Sequence, residues 1–372
     1  MADCRGMRVV IDATPLLVRS AGVKNYLYHW IMHLRRVAGG ASVGTFPAMD
    51  RVRPLTHEAS VADPLRTFGG LAALAISNHS GAPLLDWLTR GVDVFHASVL
   101  VRHPPSRARL TATVHDLTGF LMPELHPRSN LVAEESFTQL ARRADGLIAV
   151  SECTRQDAIR ALGIAPQKIC TIHSGVADSF FDPPAALVND VRVRYGLKRP
   201  FVLFVGTIEP RKNIDLLLDA FEALPGSLRD HYELVVAGPV GWAGGPTLAR
   251  LESVRYLGYV PELDLAPLTA AAEVFVYPSL YEGFGFPVVQ AMAAGVAVIT
   301  SNVSSLPEVA GNTALLVDPR SQSELRAALV RLLGSADLRR ALALAGRERA
   351  RQFRWEVCAR KSLEFFRHIA GE

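Results

Sequence analysis

Residues 273–301 read "EVFVYPSLYEGFGFPVVQAMAAGVAVITS". The opening "EVFVYPS" is rich in β-branched and aromatic residues and has the length of a buried parallel strand. "PVVQAMAAG" reads as a helix opened by Pro287, since proline suits the first helical position, where its missing N–H loses nothing. "VAVITS" is a strand again. Strand, turn, helix and strand in so short a stretch is the repeating unit of a parallel sheet, in which a helix carries the chain back.

Working outward, the same alternation continues on both sides. "FVLFVGT" is a strand and "NIDLLLDAFEAL" a helix; "YELVVAG" and "VRYLGYV" are strands and "ELDLAPLTAAA" a helix. After the quoted stretch come a strand, "TALLVDP", and a helix, "QSELRAALVRLLG". The first half opens with a strand, "RVVIDATPLL", a turn, "VRSAGVKN", and an amphipathic helix, "YLYHWIMHLRRV". Strand-length runs follow at "VDVFHAS", "LTATVHDL", "ADGLIAVS" and "KICTIHSGV". The helix "ECTRQDAIRALG" has Ser151 as its N-cap and Gly163 as its stop. Residues 40–70 lack periodicity and read as loop-heavy. Prolines at both ends of 183–200 mark a linker between a domain at 1–182 and another at 201–350. In 351–372, Trp355, Leu363, Phe366 and Ile369 recur at helical spacing, so this last helix should pack back on the body. Two doubly wound α/β domains so joined face a central cleft at their strand carboxyl ends, where ligands of open sheets bind.

A chain of 372 residues, 49% apolar and 20% charged, has the composition of a soluble globular protein of about two domains. The net charge of +4 favours anions without separating phosphates, nucleic acid and membrane surfaces. Cys4, Cys153, Cys170 and Cys358 lack metal-ligand spacing, and Cys153, Cys170 and Cys358 read as buried thiols, which points to a reducing cytoplasm. "MADCRGMRVVIDATPLL" has no cleavage-like site, and no apolar run approaches the roughly 20 residues of a spanning helix. Work at a membrane would therefore be peripheral.

Three strand ends carry candidate chemistry. In "YEGFGFP", Gly283 and Gly285 permit a close backbone approach, and the following helix start contributes about half a positive charge. That suits a phosphate or sugar hydroxyls beside Glu282; the alternative is a tight bend with Glu282 as its cap. In "VGTIEPRKN", Arg211 and Lys212 suit a diphosphate, as a fork and a compact charge, or else form a solvated basic turn. In "TVHDLTG", His115 and Asp116 end a buried strand, where the imidazole can hold or pass a proton. A lone histidine is more often structural; His96 in "VFHAS" is the rival.

Together, "AGVKNYLYHW", "TVHDL", "VSECTRQDAIRALGI…KICTIHSGV", "FVGTIEPRKNIDLLLDAF", "YPSLYEGFGFPVVQAMAAGVAVITS…LPEVAG…ALLVDP" and the closing "FRW" helix resemble glycosyltransferase family four. These are retaining nucleotide-sugar transferases of the GT-B fold, two Rossmann-like domains around a cleft, and "EPRKN" resembles mannosyltransferases of bacterial polysaccharide assembly. The resemblance implies an acceptor-side first domain and a nucleotide-sugar-binding second domain. It implies that Glu282 lies beside the donor sugar, with the amides of Gly283, Phe284, Gly285 and Phe286 on sugar and diphosphate. Lys212 and Gly22 would approach the phosphates, His115 the reacting carbon, and Tyr259 and Val260 the base. It implies no metal and no cofactor, only a GDP- or UDP-linked co-substrate, with a glycan or lipid-linked glycan as acceptor and no nucleic acid. A cytoplasmic enzyme follows, free or peripheral at the inner membrane face.

Two positions depart from the family pattern. Thr207 replaces an arginine found in many members, with Arg211 as a substitute charge. Gln290 replaces the acid that usually holds the ribose. The rival readings are a GT-B nucleotide-sugar epimerase, which needs further acids at the sugar, a phosphorylase, which needs a cofactor lysine, and an inactive partner subunit.

Overall fold

The computed structural model describes residues 6–372 except 21, 40, 50–52, 57, 82 and 243, together with their side chains other than those at 130 and 133. Cys4 lies outside the described residues. The chain forms two compact units, Met1–Gly175 with Trp355–Glu372, and Val176–Arg354.

The first unit is built on six parallel strands: β1 (Arg8–Asp12), β2 (Ser42–Phe46), β3 (Val94–Ala97), β4 (Arg109–Val114), β5 (Gly146–Ala149) and β6 (Ile169–Thr171). Their order is β2-β1-β3-β4-β5-β6. β3 and β5 are buried along their whole length, which is why, His96 apart, they read as continuous apolar runs rather than as alternating ones. The helix Gly22–Val37 follows β1, and the terminal helix Trp355–Ala370 packs on it. The Trp30 indole N–H donates to Ser362 Oγ at 2.9 Å, and Tyr26 meets Trp355 edge-on at 5.4 Å.

The second unit holds β7 (Phe201–Val205), β8 (Glu233–Ala237), β9 (Arg255–Tyr256), β10 (Val274–Tyr277), β11 (Ala297–Ser301) and β12 (Leu315–Val317). They are parallel in the order β12-β11-β10-β7-β8-β9, the 3-2-1-4-5-6 arrangement of a doubly wound sheet read from β9. The sequence direction reverses between β7 and β10, and in the first unit beside β1. At such switch points the helices leave in opposite directions and open a crevice.

Three sequence expectations change. The loop-heavy 40–70 contains β2 and the start of the helix Pro64–Ser80. Its signal was present: Asp63 accepts from Arg66 N at 3.0 Å as N-cap, with Pro64 directly after it. Gly69 and Gly70 hid it, and Gly70 is there for packing, since a Cβ would stand 2.6 Å from Pro47 Cγ. The supposed linker 183–200 carries the helix Ala185–Arg194, and the second unit already begins at Val176. Cys153 and Cys170 are half-buried; only Cys358 is fully so.

Candidate functional site

The ends of β7 and β10 are tied together by backbone chemistry before any charge is considered. After β7 the chain makes a 3-10 turn, Pro210–Lys212, and Asn213 takes the left-handed conformation at φ 57°. Its side-chain amide donates to Pro278 O at 3.0 Å and to Pro319 O at 2.7 Å. Leu280 N donates to Arg211 O at 2.9 Å. These bonds hold the "PRKN" turn against the "SLYEG" turn.

Four ionic side chains meet in the space between. Lys212 Nζ lies 2.7 Å from Glu282 Oε1, and Arg211 Nη1 lies 2.9 Å from Glu282 Oε2. Arg211 Nη2 reaches Glu209 Oε1 at 2.7 Å, and Arg211 Nη1 also donates to Tyr281 O at 2.7 Å. The Lys212 ammonium sits 5.3 Å over the Tyr277 ring, a cation–π contact. All four are buried, none more than 9% exposed.

Burial alone raises the Glu282 pKa, but the Arg211 and Lys212 charges overcome it and hold the carboxyl at about 2. Burial, followed by the Arg211 charge, lowers the Lys212 pKa, and Glu282 opposes them. Arg211 and Lys212 are thus not two free cations in a solvated turn but halves of buried pairs. Glu209, which completes the cluster, went unremarked in the sequence although it stands two residues before Arg211.

The turn after Glu282 is equally determined. Glu282 N donates to Ser304 Oγ at 3.0 Å, and Ser305 Oγ donates to Glu282 O at 2.9 Å. Gly285, at φ 94°, is the N-cap of the helix Phe286–Ala293. Gly283 is buried in the same turn. The Phe284 side chain is interior, against Phe286 at 5.4 Å and Phe353 at 5.7 Å, so only its backbone can serve the turn. Gln290 is 8% exposed on that helix, and its side chain has no hydrogen-bond partner among the described residues. Thr207 is half-buried after β7; Tyr259 and Val260 follow β9, two strands across the sheet from β7.

In the first unit, His115 follows β4, half-buried, with its ring edge-on to Tyr26 at 4.8 Å. Burial outweighs the nearby Asp116 and pushes its pKa down to about 4, so it is neutral at pH 7 and offers a hydrogen bond rather than a charge. The rival His96 is fully engaged, its ring nitrogens each 3.0 Å from Thr111 Oγ1 and Thr113 Oγ1; that is a structural histidine. Gly22 is exposed at the start of its helix, and an added Cβ would meet nothing within 4 Å. A cavity of about 210 Å³ brings His115 and Asp116 together with Asp12, Ser98 and Glu134, three residues that no motif had marked. Among the described residues no three His, Cys, Asp or Glu side chains converge as metal ligands do.

Two family models match the chain: "Glycosyltransferase Family 4" over residues 21–180 and "Glycosyl transferases group 1" over 190–349. O-antigen chain mannosyltransferase B of Escherichia coli is 35% identical over 272 residues, 71% of each chain. Serotype-specific mannosyltransferase WbdA of Escherichia coli is 30% identical over 267 residues, covering 68% of this chain but only 33% of that one. Among solved structures, sucrose-phosphate synthase from Thermosynechococcus elongatus superposes with a TM-score of 0.75 at 23% identity, over 98% of this chain and 99% of that one. Anabaena HepE in complex with UDP and glucose gives 0.72 at 18%, over 96% and 99%. At such identities the structures speak for fold alone: a two-domain α/β protein of the GT-B class. The chain belongs to glycosyltransferase family 4 and is a glycosyltransferase similar to mannosyltransferases of glycan assembly.

Proposed function

We propose that the chain transfers a mannose-like sugar from a GDP- or UDP-linked donor to an acceptor hydroxyl, with retention of configuration. The observation that carries this reading is the Arg211–Lys212–Glu282 cluster at the β7/β10 switch point, beside the glycine-capped start of a helix. A leaving diphosphate gains charge as the sugar departs, and fixed donors aimed at that charge lower the barrier. Lys212, held by Glu282, keeps ammonium hydrogens for a phosphate oxygen. The acceptor oxygen bonds to the anomeric carbon on the face the diphosphate leaves, the carbon–oxygen bond to phosphate breaks, and the acceptor proton passes to the phosphate. Glu282 orients sugar and cation, the Gly22 amide approaches the phosphates, and neutral His115 contacts the sugar near the reacting carbon. Gln290 takes the ribose, and Tyr259 and Val260 border the base.

Transfer is tested with GDP- and UDP-sugars and a mannoside acceptor, with and without excess EDTA, and the product anomer is read by NMR. Lys212→Ala and His115→Ala should each cut kcat/KM by about 100-fold, the scale of one lost transition-state contact. Activity that EDTA abolishes and Mn²⁺ restores would overturn this charge handling, and an inverted product would overturn retention. Among the described residues no helix is long and apolar enough to cross a membrane. Leu65, Phe68 and Ile76, exposed on the helix Pro64–Ser80, support a peripheral contact with a membrane surface; a chain that stays in the supernatant with anionic vesicles would remove it.

A further inference from the structure

The cavity of the first unit lies at the carboxyl ends of β1, β3 and β4, beside the switch point of that sheet. At about 210 Å³ it falls below the roughly 300–1,000 Å³ of ordinary small-molecule pockets and suits a single ring. Its chemistry is one-sided. Asp12, Asp116 and Glu134 line it, and among the described residues no lysine or arginine does. The buried Lys24 on the neighbouring helix is committed to Val18 O at 2.9 Å and Ala59 O at 2.6 Å.

Two of the three acids are engaged from within. Asp12 accepts from Thr14 N and Oγ1, each at 3.1 Å, and from Ser98 Oγ. Asp116 accepts from Thr118 N at 3.1 Å and Thr118 Oγ1 at 2.8 Å. Glu134 differs. Its Oε2 lies so close over Gly119 that a Cβ there would stand 1.8 Å away, while its Oε1 is buried with no hydrogen-bond partner among the described residues. Buried polar atoms are nearly always satisfied, so an orphan on a cavity wall marks where a ligand's polar group goes. Val23, Leu27 and Phe137 add apolar surface to the same lining.

We propose, resting on the transferase reading above, that this cavity is a subsite for one uncharged, hydroxyl-bearing ring of the acceptor. Glu134 is the specificity residue that accepts that ring and rejects a phosphorylated one. A sugar hydroxyl satisfies Oε1, whereas a phosphate would meet carboxylates with no cation to pair. Burial, and then the Asp116 charge, push the Glu134 carboxyl up to about 7. Near neutrality it can therefore either donate to a hydroxyl or accept from one.

The test uses the full chain, with methyl α-mannoside and mannose 6-phosphate as acceptors and GDP-mannose as donor. Wild type should favour the methyl mannoside at least tenfold in kcat/KM. Glu134→Leu, of similar size but with no hydrogen-bonding atom, should raise the acceptor KM about tenfold, the scale of one lost hydrogen bond, with donor affinity by calorimetry within about twofold. Glu134→Lys should reverse the preference toward the phosphorylated sugar. An unchanged acceptor KM in Glu134→Leu, a change in donor KM instead, or a wild-type preference for mannose 6-phosphate would overturn the subsite. If no nucleotide sugar turns over, the transferase reading has failed and ligand-observed NMR decides the subsite separately. Methyl mannoside binding lost in Glu134→Lys supports it, and no binding to the wild type overturns it.

Discussion

At Glu282, two cations within 2.9 Å outweigh burial, and this makes the residue both a candidate ligand contact and a structural tie. Removing one partner of a buried ion pair costs about 3–5 kcal/mol, because the remaining charge is left without solvent or counter-charge. Glu282→Ala should therefore lower the unfolding free energy by about that much in urea titration, besides lowering kcat. A variant of wild-type stability would show that Glu209 alone neutralises both cations. The same tie sets a pH dependence. A carboxyl at about 2 in the fold and 4.5 in the unfolded chain contributes stability above pH 4.5 and loses it as pH falls toward 2. His96 and His115, at about 3 and 4 against 6.5, act in the same sense: their stabilising neutral forms are complete above 6.5 and lost toward 3. Glu134, raised to about 7, works oppositely, its contribution complete below pH 4.5 and lost as pH rises through 7. The urea midpoint should fall from pH 7 to pH 4, and Glu134→Gln should steepen that fall. Gln290 belongs to the same scale: its side chain is the poorer acceptor, so Gln290→Ala should raise the donor KM about fivefold, while Gln290→Glu should leave it equal or lower.

Among the elements, the helix Phe286–Ala293 owes its position to Gly285. At φ 94°, with Leu306 Cδ2 2.7 Å from an added Cβ, Gly285→Ala meets both backbone strain and a clash. A loss of about 1–3 kcal/mol and weaker donor binding should follow, read by thermal melting with and without GDP. Gly22 is the instructive contrast. It heads the helix Gly22–Val37 with open space where a Cβ would sit and no left-handed φ, so packing does not require glycine. Gly22→Ala should melt within about a degree of wild type. If transfer also stays unchanged, no ligand comes close to that amide.

On the scale of the whole molecule, the last helix completes a unit whose other residues end at Gly175. Tyr26 and Trp30 are fully buried, and they pack against Trp355 and Phe366 of that helix. Losing a large aromatic from a core costs roughly 3–5 kcal/mol, so a chain ending at Arg354 should lose the first unit's cooperative transition in calorimetry. The second unit's transition should persist. Retention of both transitions would show that the helix only covers an already stable core.

The alternation of apolar runs and helices determined two doubly wound sheets, because a strand buried on both faces is predominantly apolar. The glycines and Pro287 determined the turn after β10, because few residues adopt its backbone. The helix at Pro64 was legible in its cap yet masked by Gly69 and Gly70, of which only Gly70 is needed for close packing. What only the tertiary structure decided is which charges meet. Glu209, Arg211 and Lys212 are seventy or more residues from Glu282, and nothing local says that two basic side chains are buried in pairs. Glu134, on the helix Arg128–Arg143, came into view in the same way: no motif marked its stretch, and its raised pKa comes from burial and from Asp116 outside that helix. Periodicity and backbone preference are properties of neighbours along the chain, whereas desolvation and charge pairing depend on distance in space, and the fold alone sets that distance.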